Sequence, residues 1–197
     1  MKQDIIVAGV GGQGILSIAF VFVNSALQKG MNSKQSEVHG MSQRGGPVFA
    51  YIRISDEPIF SDLIPVGEAD MIIGLEAMES LRYADYLKEG GYLIVDQTYM
   101  TIDNYNSEAV DSQIRYYPKH ILIQARRLAK EAGNILAANM VMAGVACPFL
   151  EIEASFLKDS IRTLFAKKTE EVINVNLKAF DIGIKLGRDY LKMVENQ

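Results

Sequence analysis

Apolar positions open the chain as a short β-branched run at residues 5–8, which leads directly into Gly9-Val10-Gly11-Gly12-Gln13-Gly14. Beyond the glycines, residues 15–27 are apolar on nearly every face, the pattern of a helix buried against a sheet, with Gly30 as its stop. The local reading is strand, glycine turn, helix. Residues 48–54 predict another strand, ended by Ser55-Asp56-Glu57-Pro58, and residues 71–74 a third. A helix is predicted over 77–88, after which Gly90-Gly91 turn the chain into a buried strand at 92–96 ending on Asp96. Residues 97–113 are polar and predict an irregular connection. A last short strand at 121–123 precedes a helix at 125–132, capped by Gly133. In the C-terminal third, Ile173, Leu177, Phe180, Ile184 and Leu191 recur at helical spacing and mark one apolar stripe. Strands and helices alternating in this way predict an α/β fold: a single doubly wound, mostly parallel sheet with flanking helices, Rossmann-like. No linker or repeat divides it, so residues 1–197 are expected to form one domain.

Composition narrows the function. A net charge of −4 argues against nucleic acid or an anionic membrane as partner, since both need clustered Lys and Arg. The pairs Arg126-Arg127 and Lys167-Lys168 read as solvated helix faces. Cys147 is the single cysteine, which excludes an intrachain disulfide and a self-contained iron–sulfur cluster needing four thiolates. It lies in the apolar run 140–150, where a small buried residue is expected. The apolar stretch 15–23 ends at Asn24 and Ser25, well short of the ~20 residues that span a bilayer. With no leader pattern at the N-terminus, the expectation is a cytoplasmic chain.

Two constellations carry candidate chemistry. Gly9, Gly11 and Gly14 match the G-x-G-x-x-G fingerprint in its expected strand–turn–helix setting, with Gly12 and Gln13 between them. Such glycines let backbone approach a ligand closely, and the helix N-terminus then offers unpaired N–H donors to an anion. The plain alternative is a tight turn with close helix–strand packing and no ligand. A dinucleotide fold should next show an apolar strand ending in a ribose-binding acid. Here residues 32–39 are polar almost throughout, with Glu37 the sole candidate acid and a surface facing a cavity or a partner. The second constellation is Glu37-Val38-His39-Gly40-Met41-Ser42-Gln43-Arg44-Gly45-Gly46-Pro47. Arg44 suits a bidentate clamp on carboxylate or phosphate, against a plain surface ion pair. Ser42 and Gln43 suit orienting a neutral polar group. His39 suits proton movement near neutral pH, against a hydrogen-bonded structural role.

Together these blocks resemble the beta subunits of indolepyruvate ferredoxin oxidoreductases, within the wider 2-oxoacid:ferredoxin oxidoreductase gamma-subunit family. The likeness continues at Leu81-Arg82-Tyr83, at Glu131-Ala132-Gly133-Asn134, and from Asn174-Val175-Asn176 to Gly183, and is weakest over 97–118. The glycine turn is common to the wider family, and the 37–46 block points to the arylpyruvate branch. The resemblance implies CoA-dependent oxidative decarboxylation of a 2-oxoacid with ferredoxin as acceptor. It also implies a large alpha subunit holding thiamine diphosphate, Mg and the iron–sulfur clusters, with coenzyme A as cosubstrate and no cofactor held by this chain alone. Gln13, Ser42, Gln43 and Arg44 would then face the partner's reacting centre or position coenzyme A. Two other readings stand beside this one: a stand-alone dinucleotide-binding oxidoreductase, and a purely scaffolding subunit.

Overall fold

In a computed structural model, which describes residues 1–40, 46–99 and 105–195, the first strand is central because it is apolar on both faces. β1 (Lys2–Val10) is buried at every position after Lys2. It is flanked by β3 (Pro47–Ser55), antiparallel to it, and by β4 (Ala69–Gly74), parallel to it. β5 (Leu87–Asp96) and β6 (His120–Ile123) extend the parallel side, and β2 (Asn32–His39) pairs antiparallel with β3 at the far edge. The six-stranded order is β2-β3-β1-β4-β5-β6, mostly parallel as the alternating pattern implied.

The polar second strand finds its explanation here. An edge strand has one pairing side open and needs no continuous apolar run. In a dinucleotide fold the second strand lies against the first. Here β3 takes that place, so Glu37 stands two strand spacings, about 10 Å, from β1.

Helices cover both faces. Ile5 and Val7 point into one core with α1 (Ile15–Gln28), α4 (Ala125–Ala132), α5 (Ala138–Ala146), α6 (Ala154–Leu164) and α7 (Glu170–Glu195). Ile6 points to the opposite core, with α2 (Ala77–Leu81) and α3 (Ser107–Arg115). The predicted C-terminal stripe lies on α7, where Ile173, Leu177, Phe180 and Ile184 are buried. The residues of α5 after Ala138 are all buried, and α7 packs on it through glycines. A Cβ added at Gly144 would lie 2.1 Å from the Phe180 carbonyl oxygen, and one at Gly183 2.1 Å from that of Val141. Among the described residues no helix is long and apolar enough to cross a membrane.

Three expectations are corrected. The helix predicted over 77–88 stops at Leu81, followed by a 3-10 turn at Ala84–Tyr86, because Tyr83 and Tyr86 turn inward onto Phe49 and Tyr51. Gly90 and Gly91 do not precede the next strand but lie inside it. The β4–β5 register shifts there, and Gly90 adopts φ +74°, the backbone of a bulge. The polar connection 97–113 contains the start of α3, capped by Asn106, whose side chain accepts from the Ala109 N–H at 3.0 Å. In addition, α1 is buried on one side only, leaving Leu16, Phe20 and Leu27 exposed.

The α5–α7 seam yields a test with an unusual sign. Gly→Ala inside a helix normally stabilises by about 1 kcal/mol. Gly144→Ala instead forces a methyl onto a backbone carbonyl and is expected to destabilise by about 2 kcal/mol, read as a lowered denaturant midpoint.

Candidate functional site

The glycine turn is closed by its own glutamine. The Val10 N–H donates to the Gln13 Oε1 at 2.7 Å, folding that side chain back over Gly9. A Cβ at Gly9 would lie 2.5 Å from the same oxygen, so this glycine makes room for Gln13. Gly12 and Gly14 adopt φ of +97° and +86°, the left-handed region that L side chains avoid. Gly14 caps α1, its carbonyl accepting from the N–H groups of Ser17 and Ile18, and it is pressed against Asn139. Gly11 donates its N–H to the Gly46 carbonyl at 2.9 Å, and Gly40 donates to the Pro47 carbonyl at 2.9 Å. Both roots of the 40–46 segment thus sit at the carboxyl end of β1. The backbone of His39 pairs with Val48. The His39 side chain, Ser42, Gln43 and Arg44 lie outside the described residues.

Along the carboxyl ends of β1, β5 and β6 lie three compartments, each sharing lining residues with the next, which together make up a groove beginning at the glycine turn. The largest, about 620 Å³, lies between the turn and α7, walled by Leu136, Phe165, Val172 and Val175. Two buried carboxamides, Asn139 and Asn176, open into it, with Lys168 and Glu171 at its side. The Asn139 Nδ2 makes only a long 3.5 Å contact with the Gly14 carbonyl, while its oxygen accepts from the Met140 N–H. Gly12, Gln13, Leu136 and Asn139 also wall the second compartment, of about 140 Å³, which reaches Asp96 and Arg126. Asp96, Thr98 and Arg126 continue into the third, of about 280 Å³, where Gln97, Tyr99, Gln124 and Arg127 complete the lining.

Asp96 organises that end. Its Oδ1 accepts from the Ala125 N–H at 2.8 Å, tying β5 to the start of α4, and its Oδ2 accepts from the Thr98 hydroxyl at 2.6 Å. Burial pushes its carboxyl above the ordinary range, against the pull of those two hydrogen bonds and of the Arg126 charge. Arg126 makes no ion pair or hydrogen bond among the described residues, whereas Arg127 stands 3.9 Å from Glu131. Sequence reasoning assigned both arginines to a solvated face, and both are exposed, but it did not show that this face borders the groove, and it missed the two asparagines. Asn139 sits in the apolar α5, where a polar residue was the one available signal; Asn176 lies in the amphipathic α7, among many other polar residues, and gave none.

The donor set does not suit a metal cluster. Cys147 is buried and its thiol is pushed up to about 11 by burial, so it stays protonated near neutral pH. Among the described residues no three His, Cys, Asp or Glu side chains are grouped to hold a metal ion.

The fold and site define a class: an open, mostly parallel α/β sheet whose glycine turn opens onto a groove at the carboxyl ends of its strands. Within that class the chain belongs to the pyruvate ferredoxin/flavodoxin oxidoreductase family, which matches residues 4–186. It is 36% identical to the indolepyruvate oxidoreductase subunit IorB of Pyrococcus horikoshii, over 98% of this chain and 100% of that one. It is 34% identical to the 2-oxoglutarate synthase subunit KorC of Methanothermobacter marburgensis, over 94% of this chain and 97% of the relative. Among solved structures it resembles the 2-oxoglutarate:ferredoxin oxidoreductase of Magnetococcus marinus, which contains bound 2-oxoglutarate, coenzyme A and succinyl-CoA. That likeness has 25% identity and a TM-score of 0.76 over 95% of this chain, which spans 31% of that chain's length.

Asp96 supplies a pH test. Because its folded value is raised, the folded chain holds this proton to higher pH than the unfolded chain does. Its favourable contribution is complete below the unfolded pKa of about 3.9 and is lost as pH rises through the raised value. Asp96→Asn keeps an oxygen for Ala125 and removes the titration. Thermal unfolding from about pH 4 to 7 should therefore show a flatter profile for the variant. Parallel profiles would refute the assignment.

Proposed function

We propose that this chain is the small subunit of an indolepyruvate-type 2-oxoacid:ferredoxin oxidoreductase, active only with a larger alpha subunit. The observation that carries the reading is the end-to-end match to IorB relatives, joined to a groove whose glycine turn and 40–46 roots share one edge. The larger subunit holds thiamine diphosphate with Mg and the iron–sulfur clusters, and passes electrons to ferredoxin. Thiamine diphosphate supplies the carbanion chemistry of decarboxylation.

This chain's residues bind and orient. The turn Gly9, Gly11, Gly12, Gln13 and Gly14 presents backbone to the diphosphate of coenzyme A at the start of α1. Ser42, Gln43 and Arg44, with His39 at the root of the loop, face the partner and close the reacting centre from water. Arg44 holds a carboxylate or phosphate in a two-point clamp. Two features disfavour a stand-alone dinucleotide enzyme: β3 stands where the ribose-binding strand would lie, and β2 is an edge.

Anaerobic purification of the tagged chain from its native host tests the assignment. A co-purifying thiamine- and cluster-bearing subunit with CoA-dependent viologen reduction is expected, faster with indolepyruvate or phenylpyruvate than with 2-oxoglutarate or pyruvate. Preference for 2-oxoglutarate would move the chain to the branch of its KorC relative. Within that complex, Arg44→Ala should lower kcat/KM by roughly 10- to 100-fold, the worth of a charge-assisted bond, with subunits still co-eluting. Loss of assembly with normal turnover in what remains would favour a scaffolding role instead.

A further inference from the structure

We propose that Arg126 reads the 3′-phosphate of coenzyme A, and so fixes the direction in which the cosubstrate lies across the groove. The inference rests on the reading that coenzyme A occupies this groove, and it adds the polarity of binding and the residue that sets it.

The two ends of the groove differ in chemistry. One carries Arg126 and Arg127 beside a single acid, Asp96, with Gln97, Thr98, Tyr99 and Gln124 as neutral polar neighbours, so its cations outnumber its acid by two to one. The other is walled by Leu136, Phe165, Val172 and Val175, and its two charged residues, Lys168 and Glu171, are of opposite sign. Coenzyme A is asymmetric in the same sense. A phosphomonoester dianion sits on its ribose, a diphosphate follows, and a flexible, largely apolar arm with two amide groups leads to the thiol.

A dianion belongs at the two-arginine end, where a guanidinium offers a planar fork of donors. Asp96, the acid beside Arg126, already accepts from Ala125 and Thr98; it feels the Arg126 charge, but among the described residues Arg126 forms no ion pair or hydrogen bond, so its donors stay open. That guanidinium is left for a ligand. The middle compartment brings Gly12 and Gln13 against the space between the ends, where the diphosphate would lie on the turn. The arm then runs into the large compartment. Its two amides meet the carboxamides of Asn139 and Asn176, both buried and lightly bonded: among the described residues the Asn176 side chain makes one hydrogen bond, from Nδ2 to the Val172 carbonyl at 2.8 Å. Buried amides ask for such partners. The reversed orientation would set a dianion where Lys168 and Glu171 cancel, and leave the two arginines facing an uncharged arm.

The test compares coenzyme A with dephospho-coenzyme A, which lacks only the 3′-phosphate, in the assembled oxidoreductase. The wild-type complex should prefer coenzyme A by roughly 10- to 100-fold in kcat/KM, expressed in KM. Arg126→Ala should collapse that ratio to about two-fold or less by raising KM for coenzyme A, and Arg126→Lys should restore part of it. An unchanged ratio in Arg126→Ala overturns the proposal, as does a ratio that collapses in Lys168→Ala. Leu136→Trp separates the proposal from the reading beneath it. Leu136 is 82% exposed on the rim of two compartments, so a bulkier side chain there obstructs the groove with little cost to folding. It should raise KM for both cosubstrates alike. No change with either would show that coenzyme A does not use this groove, and the underlying reading would fall with the proposal.

Discussion

The site depends on β3 lying antiparallel against β1. The pairing runs from Lys2 opposite Ser55 to Val10 opposite Pro47, so the start of β3 is held at the end of β1. Since β2 is in turn antiparallel to β3, the connection between them must emerge at that same end. A parallel second strand beside β1 would bring a crossover there and leave no hairpin loop at the glycine turn. The hydrogen bond from Gly11 to the Gly46 carbonyl is the local expression of this topology. Two sequence blocks that no local propensity would join become neighbours through one antiparallel register.

The two edges of the sheet treat charge differently. At the amino end of β1, Asp4 is fully buried and held by Arg53 through both oxygens, at 2.8 and 3.1 Å, with Lys2 at 2.9 Å. Its N–H donates to Asp70, which pairs with Lys88. Buried carboxylates need such full compensation. At the carboxyl edge the balance is left open. Asp96 is satisfied by hydrogen bonds, yet among the described residues Arg126 forms no hydrogen bond or ion pair and feels only the Asp96 charge beside it, and Asn139 holds one donor on a long contact.

How much of this was legible in the sequence follows from how local each signal is. The β1–turn–α1 unit was readable because its strand, glycines and helix are contiguous. The polarity of 32–39 correctly told against a central parallel strand, although not that β3 would replace it. The helix predicted over 77–88 was misjudged because Tyr83 and Tyr86 look like helical periodicity but serve a long-range aromatic cluster with Phe49 and Tyr51. α3 was missed because Val110 and Ile114 alone among its residues are buried, too thin a stripe to register. The groove was hidden for a different reason. Asp96, Arg126, Asn139 and Asn176 come from four separate elements, and only the packing of α4, α5 and α7 onto the sheet assembles them.

That packing also explains why the large compartment has a defined shape. Asn139 lies near the start of α5 and Asn176 in the second turn of α7, on helices joined at Gly144, Gly183 and Gly187. At these points an added Cβ would meet backbone at 2.1 to 2.4 Å. Contacts this close leave no room for sliding, because the seam is backbone against backbone with no side chain to re-rotamerise. Gly183 stands seven residues beyond Asn176, about 10 Å along the helix axis, so the seam acts on the cleft wall through about two helical turns. The amide pair is therefore set by a rigid junction outside the groove. The glycines that look like helix defects are what hold the asparagines in register with the turn at Gly14.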